Sequence, residues 1–178
     1  QLRGHKHLKE MLAAQAKGSA KTHGELPGYL EEKILEPDRY YMRGVYLDAL
    51  RSIDLLRLNK KLDCSSIGII GKGLGAAAGV FVASQSKRIT ALVIDSPAFT
   101  HLDVWHNESS GPIAEEITGF IRRNPGKRNV VKRSLSYFDT IAFSEEITCP
   151  VMMAVGLQDE IAPPQCSFAL FNHFLCDK

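Results

Sequence analysis

The sequence predicts one parallel α/β sheet. Three short apolar runs, at 67–70, 89–94 and 151–155, each end in a turn-forming cluster. Stretches of helical character separate or follow them. The runs are apolar at consecutive rather than alternating positions, as in strands buried on both faces, and their alternation with helices calls for parallel crossovers.

Residues 1–37 are mixed: a short helix is expected over 8–16, then an ordered excursion punctuated by Gly18, Gly24, Pro27, Gly28 and Pro37. Asp38 is placed to cap a long helix. Within that helix Met42, Val45, Tyr46, Ala49, Ile53 and Leu56 recur at spacings of three and four, one apolar face. The run Ile67-Gly68-Ile69-Ile70 is the first strand. It turns through Gly71-Lys72-Gly73-Leu74-Gly75 into a small-residue helix over 76–84. The second strand, 89–94, ends in Asp95-Ser96-Pro97. A longer polar region, 99–145, contains a helix at 113–123. The third strand, 151–155, leads to Gly156-Leu157-Gln158-Asp159, and Pro163-Pro164 opens a last helix over 165–175.

The chain has 178 residues, one domain's worth, with 44% hydrophobic and 24% charged residues, so disorder is excluded as a description of the whole. Twenty-two Lys+Arg against twenty Asp+Glu leave +2, which implies neither a polyanion partner nor an acidic surface. The basic stretch Arg122, Arg123, Lys127, Arg128, Lys132 and Arg133 lacks interleaved aromatics and reads as a solvated face, not a nucleic-acid site. Residues 67–83 are broken by Lys72 and rich in Gly, unlike a membrane span. Cys64, Cys149, Cys166 and Cys176 form no C-x-x-C pair and read as free thiols. His5 with His7, and His101 with Asp103 and His106, lack a fourth ligand and read as solvated loop residues.

The glycine turn admits two machines. Gly71-x-Gly73-x-x-Ala76, with Asp95 at the end of the next strand, fits a dinucleotide fingerprint in which Asp95 would hold the ribose. The same residues fit a nucleophile elbow, G-x-S-x-G, in which Gly73 stands where the serine belongs. The turn alone leaves both open.

The surrounding sequence resembles the acetyl xylan esterase / cephalosporin C deacetylase family of α/β-hydrolases (carbohydrate esterase family seven). Arg3-Gly4-His5 resembles that family's Arg-Gly-Gln turn. Glu36-Pro-Asp-Arg-Tyr-Tyr-Met-Arg-Gly-Val-Tyr-Leu-Asp48 resembles its signature helix. Ser136-Tyr-Phe-Asp139 is similar to the segment that ends its lid, and 156–164 continuing to Phe171-Asn-His173 is similar to the stretch carrying the triad acid. The resemblance implies an α/β-hydrolase core with a helical lid-like insertion, deacetylating acetylated saccharides or similar small esters through a Ser-His-Asp triad. It implies no cofactor, no metal, a cytoplasmic setting and a homo-oligomer. By position it makes Asp159 the triad acid and the Leu74 backbone N–H an oxyanion donor.

Three departures follow. Gly73 has no side chain to attack a carbonyl. The family's histidine lies in a Gly-His-Glu turn after the last helix, and His173 matches a different, non-catalytic position. The chain begins with Gln at a turn that in the family follows several strands. Residues 1–178 are therefore expected to form an incomplete core, hydrolytically inactive as written, with unpaired outer strands that call for flanking sequence or a partner. Ser96 and Cys166 lack a histidine partner and read as turn former and packing thiol. Lys72 reads as a surface residue or the partner of a carboxylate.

Overall fold

The structure, a computed structural model, describes residues 28–178. The 8–16 helix, the Arg3-Gly4-His5 match and the His5/His7 pair lie outside the described residues. Within them, α1 (Tyr41–Leu58) leads to β1 (Ile67–Lys72), α2 (Leu74–Gln85) and β2 (Ile89–Asp95). The insertion follows as α3 (Leu102–Glu108), α4 (Pro112–Arg123), α5 (Arg128–Ser136) and α6 (Ile141–Ser144). β3 (Val151–Ala154) and α7 (Pro164–His173) close the chain. All three strands are parallel, in the order β1-β2-β3. The predicted fold class stands.

Two local expectations are corrected. Asp38 does not cap α1: Pro37 fixes a short 3-10 turn over Pro37–Arg39, and the helix begins at Tyr41. Leu56, assigned to the apolar face, is 40% exposed, because the last turns of α1 run past their packing partners. The rest of that face behaves as its spacing requires. Met42, Val45, Tyr46 and Ile53 are buried.

Helix α2 sets the distance between layers. It is apolar all round, and Ala76, Ala77 and Val80 are fully buried. It packs on β1 and β2 on one side and on α1 and α6 on the other, the position of an enclosed helix. Tyr46 of α1 stacks on Phe81 of α2 (centroids 4.9 Å), and Phe143 of α6 meets both rings edge-on. The Tyr46 hydroxyl donates to Phe138 O at 2.8 Å. One core lies between α1 and the insertion helices; a second joins α2, α7 and the inner sheet face through Val80, Leu92, Ile94, Val151 and Leu170.

The outer sheet face differs from expectation. Ile70, Val93 and Met152 share one row across the register. Ile70 is 86% and Met152 70% exposed, so among the described residues this face is left uncovered, where consecutive apolar residues suggested cover on both sides. Among the described residues the outer edges of β1 and β3 receive no further strand, although Val151 N–H donates to Asp177 O.

Candidate active site

Parallel strands place their carboxyl ends on one edge, and in open α/β sheets that edge is where ligands sit. Here it gathers Lys72 at the end of β1 with Gly73 after it, Asp95 at the end of β2 with Ser96 after it, and Asp159 beyond β3. Lys72 and Asp95 are aligned in the β1–β2 register. Three backbone bonds tie the tips together: Gly73 N–H to Asp95 O (3.1 Å), Ala98 N–H to Gly73 O (3.2 Å) and Ser96 N–H to Ala154 O (3.2 Å).

Gly73 makes the turn. Its φ of 56° and ψ of −122° lie where only glycine rests without strain, and it caps α2, whose first residue is Leu74. A Cβ built on Gly73 would meet nothing within 4 Å. At Gly71 the opposite holds: a Cβ would lie 2.5 Å from Gly75 O and 2.8 Å from Ala76 Cα. Gly71 thus permits strand and helix to meet, while Gly73 faces open space. The Leu74 N–H, at the start of α2, has no acceptor within its own helix.

The polar side chains form one linked group. Lys72 Nζ lies 2.8 Å from Asp95 Oδ2, and the Ser96 hydroxyl donates to Asp95 Oδ1 at 2.9 Å. These bonds hold the Asp95 carboxyl below the usual carboxylate range and raise Lys72. For Asp159 partial burial pushes the carboxyl up. The Ala162 N–H, the nearby Ser96 hydroxyl, the Ile161 N–H and the Lys72 charge outweigh it, and the carboxyl is lowered. A hydroxyl proton serves one carboxylate at a time, and the 2.9 Å geometry gives it to Asp95.

The segment leaving β2 is strained. Ser96, Phe99 and His101 all have positive φ (46°, 56° and 53°), a rare grouping for non-glycine residues. Asp139 holds it: Oδ1 accepts His101 N–H (2.9 Å) and Ile141 N–H (3.0 Å), and Oδ2 accepts Leu102 N–H (2.6 Å). Thr100 and Thr140 hydroxyls pair at 2.7 Å beside it. In the sequence Asp139 is marked only as the last residue of the Ser136–Asp139 segment. Its role becomes visible through bonds spanning nearly forty residues.

The other candidates separate from this edge. His106 was expected in a solvated loop; it is buried on α3, with Nδ1 2.6 Å from Leu102 O. Among the described residues no group of three His, Cys, Asp or Glu is arranged to hold a metal. His173 lies exposed on α7, its Nδ1 2.8 Å from Ala169 O. Cys166 is fully buried and its thiol is pushed up to about 12 by burial, with Asp139 and Glu108 adding to the effect. All four cysteines are free, and Cys149 and Cys166 are buried. Arg122, Lys127, Arg128 and Arg133 are exposed, while Arg123 pairs with Glu31 and Lys132 with Asp103. Asp95, the ribose-binding acid of the dinucleotide reading, is already bonded to Lys72 and Ser96.

The profile of the Acetyl xylan esterase (AXE1) family matches residues 1–178. The chain belongs to the acetyl xylan esterase family. Among curated relatives of this acetyl xylan esterase family member, the acetyl esterase Axe7A of Xylanibacter ruminicola is 29% identical over 147 residues, covering 82% of this chain and 32% of that protein. The α/β-hydrolase domain-containing protein WAV2 of Arabidopsis thaliana is 30% identical over 132 residues, 68% of this chain and 39% of that one. The acetyl xylan esterase from Paenibacillus sp. R4 superposes with a TM-score of 0.81 at 30% identity, over 90% of this chain and 52% of its own. Acetyl xylan esterase 1 from Thermoanaerobacterium superposes at 0.77 and 22% identity, over 90% and 52%, a likeness of fold. The chain thus spans about a third of the curated relatives and about half of the solved esterases. No helix among the described residues is long and apolar enough to cross a membrane.

Proposed function

We propose that this chain keeps the acyl-receiving side of an acetyl-esterase site without its nucleophile, so that it accommodates an acetylated saccharide or similar small ester and does not hydrolyse it. The observation that supports this best is the Gly73 turn: a strained strand-to-helix bend with open space where a side chain would project. A serine there would attack the ester carbonyl, a histidine would take its proton, and an aspartate would orient that histidine. Gly73 supplies no Oγ, so no acyl-enzyme forms. In this reading the Leu74 N–H faces the carbonyl oxygen and Asp159 is the acid of the site. His173 is not the base, because its ring serves α7.

Losing the serine or the histidine of such a triad costs roughly a million-fold in turnover. The test is hydrolysis of p-nitrophenyl acetate by the chain, by Gly73→Ser and by Gly73→Ser with Asp159→Asn. The unaltered chain should stay near the blank. Turnover by it well above the blank overturns the proposal. A second reading, a piece of an active acetyl-ester hydrolase, is supported by the chain's spanning 52% of the solved esterases. It requires a longer polypeptide with this sequence to be active, and sedimentation of that polypeptide would also test the homo-oligomer implied by the family.

A further inference from the structure

Asp159 stands five residues beyond the end of β3 at Ala154, so the sheet does not fix it directly. Its own loop curls around it: Asp159 N–H donates to Gly156 O (3.2 Å), and Oδ1 accepts the N–H groups of Ile161 (2.9 Å) and Ala162 (2.8 Å). The carbonyls of that curl point elsewhere. Ile161 O accepts the Trp105 indole N–H at 3.0 Å and the Ser109 hydroxyl at 2.7 Å. Glu160 O accepts the Ser110 N–H at 2.9 Å. Behind them a Cβ on Gly111 would lie 2.9 Å from Ile161 Cγ2, so the insertion backbone lies directly against the loop.

These bonds come from α3 and the two residues that follow it, fifty or more residues away in sequence. Trp105 is fully buried and packed on Phe99 (centroids 5.6 Å). It has one donor, and a buried donor left unpaired is costly, so the indole stays on Ile161 O. The insertion therefore grips both peptide carbonyls that follow Asp159, and their neighbouring N–H groups grip the carboxylate.

We infer that Trp105, with Ser109 and Ser110, is a positioning residue for Asp159: the helical insertion, rather than the sheet, holds this carboxylate at the active-site edge. The inference rests on the reading of Asp159 as the acid of that site. It also couples the two parts, since any displacement of α3 carries the Asp159 loop with it.

The test uses the whole chain with aspartate carboxyl carbons labelled with 13C, comparing wild type, Trp105→Phe, Ser109→Ala and Ser109→Thr by NMR titration. Trp105→Phe keeps an aromatic ring against Phe99 and removes the N–H. Lys72 and Ser96, which act on the Asp159 carboxylate, and Glu160 within the loop are unchanged in every variant. In Trp105→Phe and Ser109→Ala the Asp159 titration should rise toward the ordinary carboxylate range, while Asp95 stays where it was. Ser109→Thr, which keeps the hydroxyl, should restore it. An unmoved Asp159 in folded Ser109→Ala and Trp105→Phe overturns the inference; should Trp105→Phe fail to fold, Ser109→Ala decides alone. The readout is independent of turnover, so an ester assay that defeats the site reading leaves this result separately legible.

Discussion

Gly71 and Gly73 sit two residues apart in one turn and should respond oppositely to the smallest side chain. At Gly71 an added Cβ meets Gly75 O at 2.5 Å, Gly75 C at 2.7 Å and Ala76 Cα at 2.8 Å. All three are backbone atoms of α2, which cannot rotate aside, so the helix must move off β1. Since α2 is enclosed by the sheet, α1 and α6, that movement disturbs both cores. Overpacking costs about 1–3 kcal/mol where side chains can yield, and a backbone clash belongs at the top of that range. At Gly73 there is no clash, only the strain of a positive φ, about 1–2 kcal/mol. For a chain of this size 1 kcal/mol moves Tm by roughly 2–4 °C. Gly71→Ala should therefore lower Tm by about 6–12 °C and Gly73→Ser by roughly 2–8 °C, read by circular dichroism at 222 nm. If Gly71→Ala proves the milder change, helix and strand do not meet as described and the elbow geometry is wrong.

Other outcomes follow from neighbouring groups. Asp139→Ala strands two backbone N–H groups of the strained exit from β2, those of His101 and Leu102, and the Ile141 N–H at the start of α6, and should cost about 2–4 kcal/mol, checked by urea denaturation. Ile70→Lys with Met152→Lys should change stability by less than about 0.5 kcal/mol, because both side chains are exposed. The same pair should reduce concentration-dependent light scattering, since it removes the apolar row of the open face. The Lys72–Asp95 pair should impose a pH window. Asp95 is lowered in the fold, so its contribution is present above the unfolded carboxylate pKa and is lost as pH falls through the folded value. Lys72 is raised, so the contribution is also lost as pH rises through its folded value. The Tm difference between wild type and Asp95→Asn should accordingly be largest at neutral pH and vanish at both extremes. Finally, iodoacetamide at pH 8 should label the half-exposed Cys64 and Cys176 before the buried Cys149 and Cys166, as read by peptide mass spectrometry.

What could be read from the sequence was set by the range of the interactions concerned. The α1 face, the three strands and the glycine turn are written in neighbouring residues, by helical spacing, consecutive apolar runs and Gly-x-Gly-x-Gly. The insertion is not. α3 has seven residues and α6 four, too short for a period to register, and they are held by Asp139 and by Trp105 bonds to residues far along the chain. Gly73 could be singled out from its own turn and Asp159 through the family resemblance of 156–164, whereas the grip of Trp105, Ser109 and Ser110 on the Asp159 loop could not. His106 falls in a helix of seven residues, too short to register in the sequence, and only the packing of α3 buries it.

Among the described residues, the supports of the site and the cover of the sheet are separable. Consecutive apolar residues in β1 and β2 suit burial on both sides, yet all the described helices that pack on the strands lie on the α2 side. The row Ile70, Val93, Met152 is apolar, while the next row toward the carboxyl edge carries the Lys72–Asp95 pair. Each feature of that edge has its support on the covered side or along the edge itself. Gly73 is set by α2, Ser96 by Asp95 and Ala154, and Asp159 by the insertion. None depends on Ile70 or Met152. The two sets of variants should therefore diverge in a single experiment. Ile70→Lys with Met152→Lys should leave the Asp159 titration unmoved, whereas Trp105→Phe, remote from the open face, should shift it. A shift in the first would mean that the open face, and not the insertion, sets the geometry of the edge.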